Sequence, residues 1–338
     1  MTVGVDLGGT KLLGAVVDEA GAVSSLLRWP GRVRQYDRAL AAIASLVERL
    51  EGEANERDET VVAVGVAAAA FLDADREHVR DATNLLGWSG RPFRADISAR
   101  LGLPVVVEND GNAAAWGEYG HGAAAGEPCV VMATVGTGIG GGIVIDGRLV
   151  AGGSGVAAEL GHVQVVPDGR PCGCGAAGCL EEYASGTALT RSVRAAAAAD
   201  PAGASRLLAL AGGDPEGIDG PLITALAIDG DPAARGALAE LGIWLGVGLA
   251  QVATILDPSI VIVGGGLAGA AGELIIGPAR DAYGARARLR APAPLRAAAL
   301  GNTAGLVGAA ALALSAWTRE PHKLRATETQ RTPSSDRW

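Results

Sequence analysis

Two glycine turns, one near residue 9 and one near residue 137, each join a pair of short apolar runs. Val3–Leu7 and Leu12–Val17 flank the first turn. Cys129–Val135 and Gly140–Ile145 flank the second. An apolar run, a tight turn and a second apolar run predict an antiparallel strand pair. Because this arrangement occurs twice, the sequence predicts two related α/β lobes with a cleft between them.

Further elements are predicted in the first half of the chain. A third strand is expected at Val23–Trp29, and apolar residues at helical spacing between Leu40 and Leu50 predict an amphipathic helix. Continuous apolar runs at Val61–Val66 and Val105–Val107 are typical of buried strands. A helix is expected to begin near Asp110, so this half forms a mixed sheet flanked by helices.

The second half is predicted to be richer in helix. A short strand at Arg148–Val150 precedes a helix at Ala184–Ala199, and the stretch from there to Asp229 gives no clear pattern. A long helical segment at Pro232–Leu256 leads to a buried strand at Ile260–Val263 and a last helix near Ala304–Ala316.

The first glycine turn carries polar groups on both sides, in the sequence Asp6-Leu7-Gly8-Gly9-Thr10-Lys11. Backbone N–H groups of such a turn suit phosphate oxygens, Lys11 adds positive charge, and Asp6 could hold a hydrated Mg²⁺ ion. A plain hairpin turn is the alternative. The spacing is not that of a Walker A loop, and no helix follows.

Two later glycine runs are candidates for nucleotide contacts. Gly136-Thr137-Gly138-Ile139-Gly140-Gly141-Gly142 contains GxGxxG but precedes a strand, which disfavours a Rossmann site and favours a second phosphate-binding turn. Gly264-Gly265-Gly266 follows a buried strand, where a nucleobase or ribose could lie on exposed backbone. Close packing of a helix on a strand is the alternative for these three glycines.

The segment Glu108-Asn109-Asp110-Gly111-Asn112 lies at a strand-to-helix junction. Asp110 could simply cap the helix. Four polar side chains within five positions, however, favour a site that hydrogen-bonds a polyol. Asp110 would then be the general base that takes a hydroxyl proton during phosphoryl transfer.

One histidine and three closely spaced cysteines predict a tetrahedral zinc site formed by His162, Cys172, Cys174 and Cys179. A disulfide or a reactive dithiol is the alternative. With four protein ligands the metal would be structural, and it would fix the loop that carries Glu159, His162, Glu181 and Glu182.

Charge and hydropathy restrict the partners. The chain of 338 residues has 28 basic and 37 acidic side chains, a net charge of −9, which argues against nucleic acid. No unbroken apolar run of membrane-spanning length and no signal-peptide pattern are seen, so a cytoplasmic protein without membrane contact is expected. Residues 319–338 have few apolar side chains and are expected to form a disordered tail.

Several motifs together resemble the ROK family of repressors and sugar kinases over roughly residues 3–316. They are DLGGTK, ENDGNAA, TVGTGIGGG, ELGH with CGCGAAGCLE, DPSIVIVGGG and GNTAGLVG. The stretch AAAAFLDADREHVRDATNLLGW is similar to the glucokinases of actinobacteria.

This resemblance implies a two-lobed, actin-like ATPase fold of the ribonuclease H-like type, with ATP as donor, Mg²⁺ as counter-ion and phosphorylation of a hexose 6-hydroxyl, most simply that of D-glucose. It divides the chain into a small lobe (1–109 plus 303–318) and a large lobe (110–302). It also implies a homo-oligomer, dimer or tetramer.

The resemblance also implies roles for individual residues, with Asp110 as the catalytic base. The sugar hydroxyls would be bound by Asn84, Asn109, Asp110, Glu159, His162 and Glu181. The residues expected to bind the nucleotide or its phosphates are Asp6, Gly8, Gly9, Thr10, Lys11, Thr137, Gly138, Ser185, Gly186, Gly265 and Gly266.

The sequence departs from the family pattern at three positions. Ala70 replaces a glycine beside the sugar, Gly111 replaces an alanine beside the base, and Thr303 replaces an aspartate. The extra methyl group of Ala70 leaves the identity of the sugar open.

Other functions remain to be distinguished. A kinase for N-acetylmannosamine, mannose or fructose, a polyphosphate-using kinase and a non-catalytic sugar sensor are the alternatives. A repressor is disfavoured, because the first strand begins at residue 3 and leaves no room for a helix-turn-helix before it.

Overall fold

A computed structural model describes residues 1–9, 11–82, 85–289 and 291–319. The chain forms two compact units. The first contains Met1–Gly122, Leu149–Ala157 and the described residues from Thr303 to Arg319, and the second contains Ala123–Arg148 and Ala158–Asn302. Thr10, Asn84 and the expected tail after Arg319 lie outside the described residues.

The first unit is built on a five-stranded sheet in the order β3-β2-β1-β4-β7. Strand β1 pairs antiparallel with β2 and parallel with β4, and β4 pairs parallel with β7. The strands of this unit are β1 (Thr2–Leu7), β2 (Leu12–Val17), β3 (Val23–Arg28), β4 (Ala63–Ala68), β5 (Phe71–Leu72), β6 (Val79–Asp81) and β7 (Val105–Asn109). Strands β5 and β6 form a separate hairpin.

Four helices belong to the first unit: α1 (Tyr36–Asn55), α2 (Phe93–Leu101), α3 (Asp110–His121) and α11 (Ala304–Arg319). Helix α1 buries the predicted apolar face from Leu40 to Leu50. Helix α11 packs on β1 and β4 and against α3. Gly308 of α11 lies so close to the α3 backbone at Ala113 that a Cβ atom there would overlap the Ala113 carbonyl.

The second unit has its own five-stranded sheet in the order β10-β9-β8-β11-β12. Its strands are β8 (Cys129–Val135), β9 (Ile139–Ile145), β10 (Arg148–Leu149), β11 (Ile260–Gly264) and β12 (Leu295–Ala297). The helices are α4 (Glu181–Ala184), α5 (Gly186–Ala199), α6 (Ser205–Leu210), α7 (Gly220–Ile228), α8 (Pro232–Leu256), α9 (Gly266–Ala271) and α10 (Glu273–Gly284). As in the first sheet, an antiparallel pair adjoins a parallel pair.

Helix α8 is the single described helix that is long and apolar enough, by length and composition, to cross a membrane. Of its most apolar 18-residue window, 56% is buried inside the protein. The helix packs against α10 and α7. This burial is typical of a core helix.

Some element boundaries differ from the predictions. The strand expected at Val61–Val66 begins at Ala63 and ends at Ala68. The last helix extends beyond Ala316 to Arg319, which was placed in the tail. Part of the stretch before Asp229 is helical, as α6 and α7.

The compact units also divide the chain differently from the expected boundary at residues 109 and 110. Helix α3 and the segment Leu149–Ala157 cluster with the first unit and not with the large lobe. The reason for α3 is its glycine-mediated contact with α11, where Gly117 approaches the Ala304 carbonyl.

Candidate active site

The first glycine turn lies between the antiparallel strands β1 and β2. The backbone N–H of Gly8 donates to the Lys11 carbonyl at 2.9 Å, which closes the turn. Asp6 is buried at the end of β1, and its Oδ2 lies 2.8 Å from Lys11 Nζ. The turn therefore places one carboxylate and one ammonium group together.

The β7–α3 junction is capped by Asn109, which corrects the alternative that Asp110 is the cap. Asn109 Oδ1 accepts from the backbone N–H groups of Gly111 and Asn112, at 2.9 and 3.1 Å. Its Nδ2 donates to the Ala70 carbonyl at 3.3 Å. Asp110 is the first helical residue, and its Oδ1 accepts from Gly111 N at 2.9 Å. The cap thus fixes the backbone on both sides of Asp110.

Two of the four polar side chains at this junction face inward, contrary to the expectation that all four bind a polyol. Glu108 and Asn112 are buried, and Asn112 Nδ2 donates to Glu108 Oε1 at 3.1 Å. Glu108 Oε2 accepts from Arg76 Nε at 2.9 Å. Both carboxylate oxygens of Glu108 and the Nδ2 atom of Asn112 are bonded inside the protein, and Asn109 and Asp110 remain as candidate ligands.

The environment of Asp110 disfavours its ionised form. Burial raises the pKa of Asp110 to about 7, and the negative charge of Asp6 adds to this rise. The N–H of Gly111 and the charge of Lys11 act in the opposite direction without cancelling it. A carboxylate with a pKa near neutrality can accept a proton from a hydroxyl group and release it again.

In the second unit, the Gly136–Gly138 turn is held by the start of α5. Gly186 N donates to the Gly136 carbonyl at 2.8 Å, and the Thr187 hydroxyl donates to the Thr137 carbonyl at 2.9 Å. These bonds bring together Thr137, Gly138 and Gly186, three of the residues expected at the nucleotide.

Glu181 contacts the same turn. Its Oε2 accepts from the backbone N–H of Ile139 at 2.8 Å and lies against the Cα of Gly138. This contact was not predicted for Glu181, which the family resemblance placed at the sugar. One carboxylate oxygen is therefore engaged by the glycine turn.

Ser185, Gly265 and Gly266 have clear structural roles. The Ser185 hydroxyl is buried and caps α5 by accepting from Ala188 N at 3.1 Å. Gly265 has φ 90° and packs against the Val135 backbone, so a side chain there would be strained and would overlap β8. The alternative of close helix–strand packing thus applies to Gly265, while Gly266 begins α9 with open space around it.

The four predicted metal ligands lie together. The donor atoms of His162, Cys172, Cys174 and Cys179 all fall within 4.8 Å of one another. Cys174 Sγ lies 3.7 Å from Cys179 Sγ, and His162 Nδ1 lies 3.7 Å from Cys172 Sγ. Four ligands about 2.3 Å from a zinc ion at tetrahedral angles are about 3.8 Å apart. The donor set and its spacing therefore fit Zn²⁺.

The surroundings of Cys179 disfavour its thiolate form. Burial raises the pKa of Cys179 to about 12, and hydrogen bonding with Cys172 and Cys174 adds to the rise. Three adjacent thiolates need a cation to be stable together. None of the three is in a disulfide, contrary to that alternative.

Glu159 and His162 lie at the two ends of a short 3₁₀ turn, Leu160–His162, that leads into this cluster. Both side chains are half-buried. Cys172 also lies within 4.8 Å of the Glu181 carboxylate. The cluster therefore adjoins the loop that carries all three of these expected sugar ligands.

Sequence reasoning missed Arg76, which is 32 residues from its partner Glu108. It also missed the Glu181–Ile139 bond, which spans 42 residues. The sequence contains one sign of this partner. Glu108 is a charged residue in an apolar strand, and a charge buried in this way requires a partner of opposite charge.

The ROK family model matches residues 2–316. A glucokinase of Streptomyces coelicolor is 47% identical over 326 residues, covering 95% of this chain and 98% of the relative. An N-acetylmannosamine kinase of Salmonella typhimurium is 35% identical over 318 residues, covering 92% of this chain and 98% of the relative.

Among solved structures, a ROK family glucokinase from Streptomyces griseus, in complex with glucose and AMPPNP, superposes with a TM-score of 0.84. It is 45% identical and covers 93% of this chain and 99% of its own. The predicted actin-like ATPase fold class is confirmed by this likeness. Since the family model covers nearly the whole described chain and the motifs occur in order, the chain belongs to the ROK family.

Proposed function

We propose that this protein transfers the γ-phosphoryl group of ATP to the 6-hydroxyl of D-glucose. The observation that carries the proposal is the Asp110 carboxylate, whose pKa is raised to about 7 beside the Asp6–Lys11 pair. The likeness to a glucokinase with bound glucose and AMPPNP, at 45% identity, supports both the sugar and the donor.

Asp110 acts as the general base. Its carboxylate takes the proton of the 6-hydroxyl as the hydroxyl oxygen bonds to the γ-phosphorus and ADP leaves. Asn109 orients Asp110 through the helix cap and has one amide hydrogen left for a sugar hydroxyl. Glu159, His162, Glu181 and Asn84 are the other proposed sugar ligands.

The two glycine turns bind phosphate oxygens with backbone N–H groups. Gly9, Thr10 and Lys11 provide these groups in one unit, where the N–H of Gly8 closes the turn. Thr137 and Gly138 provide them in the other unit. Ser185, Gly186, Gly265 and Gly266 lie on the nucleoside side. Positioning and charge stabilisation account for most of the rate of phosphoryl transfer, so these donors matter as much as the base.

Asp6 is the proposed anchor for Mg²⁺. A catalytic magnesium ion is usually held by a carboxylate together with the phosphates of the substrate. The ion would neutralise charge on the phosphoryl group. Zn²⁺ in the Cys₃His cluster is structural, because four protein ligands leave no position for water. It stabilises the loop that carries Glu159, His162 and Glu181.

Ala70 lies beside Asn109, a proposed sugar ligand. Its side chain is buried and its carbonyl accepts from Asn109 Nδ2. The choice between glucose and another hexose is therefore left to a comparison of sugars. A cytoplasmic location and a homo-oligomeric state, dimer or tetramer, belong to the same proposal.

The test is a coupled assay of ADP release over a panel of sugars: glucose, mannose, fructose and N-acetylmannosamine. ATP and polyphosphate are compared as donors, and the product is identified by NMR. The expected result is glucose 6-phosphate, with the largest kcat/KM for glucose and ATP. Sugar binding without phosphorylation of any sugar would instead assign a sensor.

A further inference from the structure

Arg76 is a buried cation that no step of the proposed reaction uses. It lies in the turn between β5 and β6, with φ 60°, in the left-handed region that is costly for a residue with a side chain. Its side chain is 12% exposed, and that of its partner Glu108 is 9% exposed. A charge is kept at such a depth only where it is paired.

The guanidinium of Arg76 joins three separate segments. Its Nε donates to Glu108 Oε2 at 2.9 Å, at the end of β7. Its Nη1 donates to the carbonyl of Asp73 at 2.9 Å, in its own turn, and to the carbonyl of Gly155 at 3.1 Å. Gly155 belongs to the segment Leu149–Ala157 of the same unit.

Glu108 links Arg76 to the start of α3. Its Oε1 accepts from the backbone N–H of Asn109 at 2.9 Å and from Asn112 Nδ2 at 3.1 Å. These two residues flank Asp110, on the strand side and on the helix side. The Glu108 carboxylate therefore fixes the backbone before Asp110 and the first helical turn after it.

The network is not optimised for stability. Within the part of the chain that the structure describes, the buried atoms Arg76 Nη2 and Asn112 Oδ1 have no hydrogen-bond partner. Unpartnered buried polar atoms are destabilising, and well-packed apolar residues in place of a buried ion pair are often at least as stable. Because Arg76 does not maximise stability here, its role is better explained by the geometry that it gives the β7–α3 junction.

We propose that Arg76 is a positioning residue for the Asp110 base, acting through Glu108. The proposal rests on the proposed function, since it assigns to Arg76 the orientation of that base. The hydrogen bonds of Arg76 go to Glu108, Asp73 and Gly155, and it is not among the proposed sugar or phosphate ligands. We therefore expect its loss to lower kcat and to leave the KM for ATP unchanged.

The test compares Arg76→Met and Arg76→Lys with the matched control Arg80→Met. Arg80 lies four residues along the same hairpin and donates to the Ser154 carbonyl at 2.9 Å, in the same segment, but it is exposed. The measurements are kcat, both KM values, the pH profile of kcat/KM and the melting temperature, with kcat referred to the folded fraction.

Arg76→Met is expected to lower kcat by about 10-fold or more, because a small misplacement of a catalytic group has effects of this size. It also removes the positive charge that pairs with the buried Glu108 carboxylate. Glu108 lies two residues from Asp110, so its negative charge then adds to that of Asp6. The acid limb of the profile therefore moves to higher pH. Arg76→Lys keeps the positive charge but cannot form all the hydrogen bonds of the guanidinium group. We therefore expect kcat to fall and the acid limb of the pH profile to stay at the same pH. Arg80→Met is expected to match the parent protein.

Several outcomes overturn the proposal. One is a lower melting temperature for Arg76→Met with unchanged kcat and an unmoved acid limb, which would mean a structural role only. Another is a rise in the KM for ATP by the same factor as the fall in kcat, which would mean that the substitution damages the site as a whole. If Arg76→Met does not fold, full kcat in Arg76→Lys contradicts the proposal. A parent protein that phosphorylates no sugar refutes the proposed function instead, so the two failures are distinct.

Discussion

The Asp6 carboxylate raises the pKa of the Asp110 carboxylate, while its own Oδ2 lies 2.8 Å from Lys11 Nζ. Asp6 is the second-last residue of β1 and Asp110 begins α3, so the two acids come from elements far apart in sequence. A like charge nearby makes ionisation of the second acid more costly. Asp6 therefore adjusts the base without taking the proton itself.

This relationship predicts the pH dependence of the reaction. The base is active when ionised, so kcat/KM should rise with pH through a limb near pH 7, the value to which the Asp110 pKa is raised. Asp6→Asn removes the repelling charge and frees Lys11, and both changes lower the pKa of Asp110. The limb should then move to lower pH even though the rate falls. An unmoved limb would show that another group titrates.

Glu181 is expected to influence ATP as well as sugar. Glu181→Ala removes the acceptor of the Ile139 N–H, which holds the Gly136–Gly138 turn, so the KM for ATP should rise several-fold. Glu182→Ala is the control, because Glu182 pairs with Arg191 at 2.8 Å instead. An unchanged KM for ATP in Glu181→Ala would show that the bond does not position the turn.

The cysteine cluster should bind one zinc ion per chain, measured by mass spectrometry of the metal content. Cys174→Ser removes one of four ligands, so it should lose the metal and melt at a lower temperature. Cys129→Ser should keep both, since Cys129 lies in β8 outside the cluster. A fully zinc-loaded Cys174→Ser protein would contradict the assignment.

The α3–α11 contact depends on small residues. Gly308→Ala should destabilise the protein by about 1–3 kcal/mol or more, because its Cβ would overlap the α3 backbone. Gly52→Ala, in α1 with open space around it, should stabilise by about 0.5–1 kcal/mol. Denaturant unfolding measures both, and a Gly308→Ala protein as stable as its parent would show that the helices can separate at no cost.

Local patterns in the sequence were sufficient for much of this structure. The strand pairs around both glycine turns and the apolar face of α1 follow from residues that are neighbours in the chain. The metal cluster was predictable for the same reason, since three of its ligands lie between Cys172 and Cys179.

What could not be predicted depends on contacts between distant residues. The direction of Glu108 depends on Arg76 in a separate hairpin. The placement of α3 in the first unit depends on glycines of α11, near the other end of the chain. Residues of the ENDGNAA motif were expected to share one role, but Glu108 and Asn112 support the junction from inside, while Asn109 caps the helix and Asp110 begins it.

The most direct test of the account is the kcat of Asp110→Asn with glucose and ATP. The prediction is a loss of about 10²–10⁴-fold, as for removal of a general base, with normal zinc content. Folding can be checked by melting at pH 8. Since the pKa of Asp110 is raised in the folded state, its contribution to stability is lost as the pH rises through about 7, and the variant should be at least as stable as its parent. A folded, zinc-loaded Asp110→Asn protein that retains most of its kcat would contradict the account.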